Sequence, residues 1–202
     1  PWDISRYSLG DFPHPWREWN DRYRDSVRQF WLGDLARGYG EGVADIAAGI
    51  SGSSDVFYYR GPTSSINFVT AHDGFTLADL VMYSNKRNEA NQEDNRDGSN
   101  ENRSWNMGVE GISEDAELIA LRHSLKKSIM ATLLLSAGVP MITMGDELCR
   151  TQSGSNNAYS MPRDMTPAIA DSPETFMGGW ANTWELNELQ RDMRDSVSEL
   201  TR

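Results

Sequence analysis

The sequence predicts an α/β protein whose parallel sheet is part of a (β/α) barrel. Short apolar segments alternate along the chain with helical ones, which is the order of a parallel sheet covered by helices. Polar residues follow the predicted strands, and in such folds the carboxyl ends of the strands share one face. The first predicted strand lacks the glycine fingerprint of a dinucleotide-binding sheet, which favours the barrel over that alternative.

Two strands and two helices are predicted in the first part of the chain. Residues 7–12, which are bounded by Gly and Pro, are a strand candidate, and apolar residues at three- and four-residue spacing predict a helix from 16 to about 35. The Ala-rich residues 43–50 predict a short helix or turn. Residues 66–71 are apolar and β-branched and lie shortly before Gly74, which predicts the second strand.

A long polar loop is predicted over residues 84–111. A loop of this length inside a compact domain is usually functional or disordered. Residues 93–98 superficially resemble a calcium-binding loop, but the twelfth position is Ser104, where such a loop needs Glu. Flanking amphipathic helices are also missing, so we expect no calcium there.

The last part of the chain predicts two helices and a third strand. Ser113 is the predicted N-cap of a long helix that continues to residue 135. The third strand is predicted over 139–144, and a final helix begins at about Trp184. The buried stripe of the long helix is predicted at Leu118, Leu121, Leu125 and Ile129.

Charge and composition exclude several classes of partner. The formal net charge of -11 leaves no basic surface for nucleic acid or an anionic membrane. A single cysteine, Cys149, excludes an intrachain disulfide and a cysteine-based zinc cluster, which fits a reducing compartment. The longest apolar run, 129–144, is interrupted by polar residues, Gly and Pro, so it does not predict a membrane span. We therefore expect a cytoplasmic protein without a membrane segment.

The strongest candidate for chemistry is the pair His72 and Asp73, which follows the second predicted strand. Catalytic side chains of barrel and open α/β folds lie at this end of a strand. Taken alone, such a pair also fits a purely structural role.

Several segments resemble the isoamylase-type glycogen debranching enzymes of the α-amylase superfamily of glycoside hydrolases. The resemblance extends from residue 1 to residue 159 and includes the final helix, with the segments in the same order as in the family. They are 19–25 (WNDRYRD), 69–77 (VTAHDGFTL), 88–91 (NEAN), 93–98 (EDNRDG), 133–140 (LLLSAGVP), 145–147 (GDE) and 156–159 (NNAY).

The resemblance implies strands 6 to 8, with their helices, of a (β/α)8 TIM barrel that hydrolyses α-1,6 branch linkages in glycogen or limit dextrin. Such enzymes retain anomeric configuration with two carboxylates. Asp73 falls on the motif of a third acid, which stabilises the transition state, and His72 would bind a hydroxyl of the same sugar. In the family Pro-Trp directly follows the general-acid Glu, so we expect Trp2 to contact substrate and the chain to begin just after that acid.

Further residues of the sugar site are implied by the resemblance. Asp146 would border the sugar, and Asn156 and Asn157 lie on a segment that contacts the glucan in this superfamily. For all three, an ordinary hydrogen-bonding role in a loop is the alternative. Residues 161–182 depart from the family pattern, so no contact is assigned to them.

The resemblance leaves open what the chain does alone. Residues 1–202 correspond to the C-terminal part of the barrel without an N-terminal or C-terminal β domain, so nucleophile and general acid are missing and the polypeptide is expected to be inactive. A non-catalytic glucan-binding or assembly role is the alternative, with branched α-glucan and the missing N-terminal half as partners. A metal-dependent phosphohydrolase would need more ligands than His14 and His123 supply, and His123 is expected to face solvent. No cofactor or metal is expected.

Overall fold

The computed structural model describes residues 7–34, 42–158 and 187–201 of the 202-residue chain. Trp2 and the divergent segment 161–182 lie outside these ranges, so the expectations for them stay predictions. Within the described ranges, no helix has both the length and the apolar character needed to cross a membrane.

A three-stranded parallel sheet lies at the centre of the fold. Its strands are β1 (Glu18–Asn20), β2 (Ser65–Asn67) and β3 (Val139–Pro140), in that order across the sheet. Trp19 of β1 lies opposite Ile66 of β2. All neighbouring strands are parallel, and their order in the sheet is their order along the chain. This arrangement confirms the predicted α/β class.

Helices connect and cover the strands. The short helix or turn predicted over residues 43–50 is observed as a helix over that full range. A π-helix, Gln29–Asp34, continues the first helix, and short 3-10 turns lie at Pro62–Ser64, Glu89–Asn91 and Asp146–Leu148. The α-helices are α1 (Asp21–Arg28), α2 (Val43–Ile50), α3 (Ser54–Phe57), α4 (Leu77–Leu80), α5 (Ala116–Leu135) and α6 (Glu188–Leu200).

The first strand lies later in the chain than predicted. Residues 7–12 form turns, in which Gly10 has a φ of +92° and donates its N–H to Glu18 Oε2 at 2.8 Å. The prediction of a helix from residue 16 was also wrong at its start, because β1 precedes α1. Asn20 ends β1 and caps α1, since its Oδ1 accepts from the N–H of Tyr23 at 2.9 Å.

The N-terminus of α5 is capped by Asp115 and not by Ser113. The Asp115 side chain accepts from the N–H groups of Glu117 and Leu118, at 2.9 and 3.3 Å. Ser113 lies one step before the cap, where its hydroxyl accepts from the N–H of Asp115 at 3.1 Å. The acidic cap matches the positive end of the helix dipole.

The buried face of α5 differs from the predicted stripe. Ile129 is buried as predicted, but Leu121 is 48% exposed. The neighbouring Arg122 is buried instead, because its guanidinium donates to the carbonyls of Gly111 at 2.6 Å and Asn106 at 2.8 Å in the long loop. Hydrogen bonds to the loop, and not hydrophobicity alone, therefore set the orientation of this helix.

The hydrophobic core joins the helices to the segment that follows β2. Met193 of α6 is buried in it. Its members include Tyr23, Val27, Leu32, Ile46, Val69, Phe75, Leu77, Leu80, Val81, Tyr83, Ile129, Met130 and Leu133. The segment on either side of His72 and Asp73 is thus anchored by buried side chains.

Candidate functional site

The loops after β2 and β3 meet at one edge of the sheet. Parallel neighbouring strands deliver their carboxyl ends to the same edge, which is the usual place for a site in α/β folds. The hydroxyl oxygens of Thr70, after β2, and Thr143, after β3, lie within hydrogen-bond distance of each other at 3.1 Å. Farther along, the N–H of Gly74 donates to the carbonyl of Asn156 at 2.9 Å. This edge is where the candidate residues collect.

His72 and Asp73 lie in the open at this edge. Their side chains are 74% and 73% exposed, and His72 Nε2 lies 3.3 Å from Asp73 Oδ2. The His72 ring meets Trp19 of β1 edge-on, with 5.8 Å between centroids and 69° between planes. A solvent-exposed pair of this kind adds little to stability. Both side chains are free to meet a ligand.

Asp73 lines a cleft of about 540 Å³. One wall is the polar loop that follows residue 97, and the other is the C-terminal end of α1. The charged groups around it are mixed in sign, which suits a neutral polar ligand better than an ion. Its other lining residues include Arg24, Asp25, Arg28, Gly98, Ser99, Glu101, Asn102, Arg103, Asn156 and Asn157.

Asn156 borders the cleft, but its side chain is bound inside the protein. The residue is 2% exposed. Its Nδ2 donates to the carbonyl of Ser99 at 2.7 Å and to Asn102 Oδ1 at 2.8 Å, and its Oδ1 accepts from Asn88 Nδ2 at 2.8 Å. These bonds use both amide hydrogens and the amide oxygen. The geometry therefore favours a role in supporting the site over direct contact with a sugar.

Asn157 is more accessible than Asn156 and holds a neighbouring carboxylate. Its Nδ2 donates to Asp97 Oδ2 at 2.8 Å, which also accepts from Asn91 Nδ2 at 2.7 Å. Burial raises the pKa of Asp97, but these hydrogen bonds from Asn91 and Asn157 outweigh it and lower the pKa below the ordinary value. Asp97 therefore remains ionised and keeps the two amides in place.

Asp146 is fully buried, at 0% exposure. Its Oδ1 accepts from the N–H of Leu77 at 3.0 Å, and its Oδ2 accepts from the hydroxyl of Thr70. Burial raises its pKa to about 6, although the hydrogen bond from Thr70 opposes the shift. Both oxygens serve to fix the segment between Thr70 and α4. This arrangement supports the hydrogen-bonding alternative for Asp146, whose side chain is closed to solvent in this structure.

Three buried polar residues in or next to the wall of the cleft were not predicted as site residues from the sequence. They are Arg28, Asn88 and Asn102, exposed by 6%, 0% and 5% respectively. Asn88 and its neighbours carry part of the family resemblance, which was a usable signal. Arg28 carried no such signal in the sequence, because an arginine in the last turn of an amphipathic helix is ordinarily assigned to the solvent face of that helix.

An aromatic cleft of about 870 Å³ adjoins the site through Trp19. Trp16 is 59% exposed and Trp19 is 48% exposed, and the Trp19 ring lies 5.6 Å from that of Phe68. Exposed aromatic faces of this kind are suited to stacking against sugar rings or to covering by another segment of protein. Tyr7 and Phe12 line the same cleft.

Metal ligands do not collect in the described part of the chain. No group of three or more His, Cys, Asp or Glu side chains there is placed to hold a metal ion.

The expectation that His123 faces solvent was wrong, because the residue is buried at 6% exposure. Its Nε2 lies 2.7 Å from Asp192 Oδ2, so the ring joins α5 to α6.

Sequence comparison finds relatives named for glycogen metabolism. The chain is 49% identical over 170 residues to the "Glycogen operon protein GlgX homolog" of Mycobacterium bovis, a match that covers 82% of this chain and 23% of the relative. It is 48% identical over 170 residues to the "Glycogen debranching enzyme" of Enterobacter sp. strain 638, covering 82% of this chain and 25% of that protein. The chain thus spans about a quarter of the length of the curated relatives it matches.

Solved structures with a similar fold are pullulanases. One from Anoxybacillus sp. LM18-11, complexed with maltotetraose, matches with a TM-score of 0.54 and 27% identity, over 92% of this chain and 22% of that chain. No family model matches the sequence. The resemblance stated from the motifs is nevertheless confirmed: the chain is homologous to the glycogen debranching enzymes, and its neighbours of known structure are pullulanases of the α-amylase superfamily.

Proposed function

We propose that this chain contributes part of the active site of an enzyme that hydrolyses α-1,6 branch linkages in glycogen or limit dextrin. Relatives named glycogen debranching enzyme support the reaction, and a related pullulanase solved with maltotetraose supports a glucan substrate. The observation that carries the proposal is the position of Asp73. It lies beyond the carboxyl end of β2, exposed to solvent, on a cleft large enough for a sugar ring.

Asp73 is proposed to stabilise the transition state. In a retaining glycosidase one carboxylate attacks the anomeric carbon and a second protonates the leaving oxygen. Asp73 performs neither step. It accepts hydrogen bonds from the hydroxyls of the reacting glucose, and His72 beside it binds a hydroxyl of the same sugar. Contacts that strengthen as the ring flattens towards the oxocarbenium geometry lower the barrier, whereas equal contacts in both states would not.

We further propose that β1, β2 and β3 are strands 6 to 8 of a (β/α)8 barrel. Their parallel order β1-β2-β3 supports this placement, because consecutive strands of such a barrel are neighbours. The three strands of the described residues cannot by themselves close a barrel that needs eight. The nucleophile and the general acid would come from other strands, with Trp2 near the acid. We therefore expect the 202-residue polypeptide alone to release no linear maltooligosaccharides from glycogen.

A non-catalytic glucan-binding or assembly role is the second candidate. The aromatic cleft around Trp16 and Trp19 favours it, since exposed aromatic faces can hold a glucan without turnover. This role would be supported if the chain were retained on a glycogen column and released no oligosaccharide from glycogen, either alone or within the chimeric enzyme described below. The cytoplasmic location remains a prediction from the cysteine usage, and the lack of a nucleic-acid partner remains a prediction from the acidic composition.

A chimeric enzyme tests the proposed function. The segment of this chain that matches the Enterobacter debranching enzyme would replace the corresponding 170 residues of that protein. We expect the chimera to release linear maltooligosaccharides from glycogen limit dextrin, and Asp73→Asn to lower kcat/KM at least about a hundredfold. Asp94→Asn is the matched control, because Asp94 carries an exposed carboxylate. Full activity of the Asp73→Asn chimera would refute the role given to Asp73.

A further inference from the structure

A hydrogen bond binds each end of the segment that carries His72 and Asp73. At the start of the segment, Arg28 Nε donates to the carbonyl of Val69 at 2.8 Å. At its end, the N–H of Gly74 donates to the carbonyl of Asn156 at 2.9 Å. The exposed pair is therefore held from both sides by groups that lie deeper in the protein.

These two attachments are joined to each other through Asn102. Arg28 Nη1 donates to the carbonyl of Asn102 at 3.1 Å, and Asn156 Nδ2 donates to Asn102 Oδ1 at 2.8 Å. The bonds thus form a closed ring that runs from Arg28 to Val69, along the segment to Gly74, and back through Asn156 and Asn102. We call it the polar ring. Arg28, Asn102 and Asn156 are all nearly excluded from solvent.

Asn88 fixes the conformation of Asn156 within the ring. Asn88 Oδ1 accepts from the backbone N–H of Asn156 at 3.0 Å, while Asn88 Nδ2 donates to Asn156 Oδ1 at 2.8 Å. Backbone and side chain of Asn156 are bound together, so its carbonyl has a fixed direction towards Gly74. In a buried network of this kind, each lost partner leaves a polar group unsatisfied.

Arg28 carries a positive charge although it is only 6% exposed to solvent. Removing a guanidinium from water is unfavourable, and an apolar side chain would fill the same space without that penalty. Arg28 donates through Nε and Nη1 to backbone carbonyls on the two loops that border Asp73. An arginine that spans two backbone segments fixes their separation, which a nonpolar residue cannot do.

We propose that Arg28, Asn102 and Asn156 are positioning residues that hold Asp73 in the orientation needed for the sugar. This inference rests on the proposed function, because it assigns the polar ring a task in presenting Asp73 to substrate. Small displacements of a catalytic group reduce rate and affinity strongly, so a rigid support for an exposed carboxylate is valuable.

Amide exchange measured by NMR on the 202-residue protein tests the ring directly. Asn156→Asp cannot donate to Ser99 or Asn102, and we expect it to speed exchange of the Gly74 amide at least tenfold. Arg28→Met should similarly loosen the segment from its other end. Asn102→Leu removes the acceptor Oδ1 from the ring and should speed this exchange too, whereas the exposed Arg96→Met changes no bond of the ring and should exchange like the wild type.

Amides in the middle of α5, such as that of the buried Ile129, serve as the internal reference, because none of the hydrogen bonds of the ring involves this helix. They should keep their wild-type rates in every variant. Equal acceleration at Ile129 and Gly74 would overturn the proposal, since the residues would then stabilise the fold in general. Unchanged exchange at Gly74 in Asn156→Asp would overturn it as well.

Titration with maltotetraose, followed through the amide signals of His72 and Asp73, links the ring to the sugar. We expect Asn156→Asp and Asp73→Asn each to weaken binding at least fivefold, while the exposed Arg96→Met binds like the wild type. Faster exchange at Gly74 with unchanged affinity would overturn the positioning role. A wild-type protein that does not respond to maltotetraose would contradict the proposed glucan site, and the exchange rates would still decide whether the ring holds the segment.

Discussion

The N–H of Gly74 donates to the carbonyl of Asn156 across 2.9 Å, which joins the loop after β2 to the loop after β3. Gly74 directly follows Asp73, so the orientation of the exposed carboxylate depends on a residue from a different strand connection. The candidate site is therefore a property of the packed loops and not of the motif around His72 alone.

Replacing Gly98 with alanine should disrupt this support. Gly98 has a φ of +69°, and an added Cβ would lie 2.1 Å from Asn156 Oδ1 and 2.8 Å from Asn88 Nδ2. We expect Gly98→Ala to lower the free energy of unfolding by about 2 kcal/mol or more, because both strain and a steric clash contribute. Urea unfolding followed by tryptophan fluorescence measures the change.

Gly108→Ala is the matched control for Gly98→Ala. Gly108 has a similar φ of +88°, but an added Cβ there would meet nothing within 4 Å. Its substitution should cost only the backbone strain, roughly 1 kcal/mol. Equal losses in the two variants would show that the contact with Asn156 contributes nothing.

Asp146 should make stability depend on pH. Burial raises its pKa in the folded protein from 3.8 to about 6, so the folded state holds the proton more tightly than the unfolded state. The contribution of this group to stability therefore increases as the pH falls from about 7 to about 4 and is constant below that range. The difference corresponds to roughly 3 kcal/mol.

Asp146→Asn isolates this effect. Asparagine can still accept from the N–H of Leu77, and its amide can donate to Thr70 Oγ1, so the geometry is preserved. Relative to this variant, the wild type should gain stability between pH 7 and pH 4, measured as the difference between urea unfolding free energies. Parallel pH profiles of the two proteins would contradict the assignment.

Lys86 should hold the polar loop closed. Its Nζ donates to the carbonyls of Asp97 at 2.7 Å, Gly98 at 3.2 Å and Arg96 at 3.4 Å, and the residue is 9% exposed. Lys86→Met leaves these carbonyls without their charged donor. A hydrogen bond to a charged group contributes at most about 1.5–3 kcal/mol to stability, so the substitution should destabilise the closed loop by a loss of that order for each bond. We expect a Glu-specific protease to cleave after Glu93 several times faster than in the wild type.

The half-exposed Arg194→Met is the control for this experiment, because its side chain pairs at 2.8 Å with Asp195 on α6, outside the polar loop. It should be cleaved at the wild-type rate. If both variants resist the protease equally, the loop does not depend on Lys86.

Asp192 should contribute to the docking of α6 on α5. Hydrogen bonds from His123, at 2.7 Å, and then Lys127, at 3.1 Å, lower its pKa below the ordinary value. Its contribution is fully present above the ordinary aspartate pKa and is lost as the pH falls through the lowered folded pKa. The side chain is half exposed, so we expect Asp192→Asn to cost no more than about 1 kcal/mol at pH 7.

Amide exchange of α6 measures this change, with Asp195→Asn as the control. Asp195 pairs with Arg194 on the same helix, at 2.8 Å, and its loss should leave α6 docked. A wild-type exchange pattern in Asp192→Asn at pH 7 would show that the contact with His123 does not hold the helix.

The helices could be predicted because each carries its signal within its own residues. The Ala-rich run at Val43–Ile50 is helical where expected, and α5 ends at Leu135 as the periodicity indicated. The strands could not be placed to the residue. β1 and β2 have three residues each and β3 has two, so they are defined by hydrogen bonds to neighbouring strands and carry little pattern of their own.

The α/β class, the family and the candidate pair His72 and Asp73 could be predicted from the residues alone, because these depend on local patterns and motifs. Which polar residues are accessible became known only from the packing of the folded chain. Asp146 follows a strand as Asp73 does, yet it is buried against Thr70 and Leu77, whereas Asp73 is 73% exposed. Burial depends on what distant segments pack against a residue, and that information is absent from the residue's own neighbourhood in the chain.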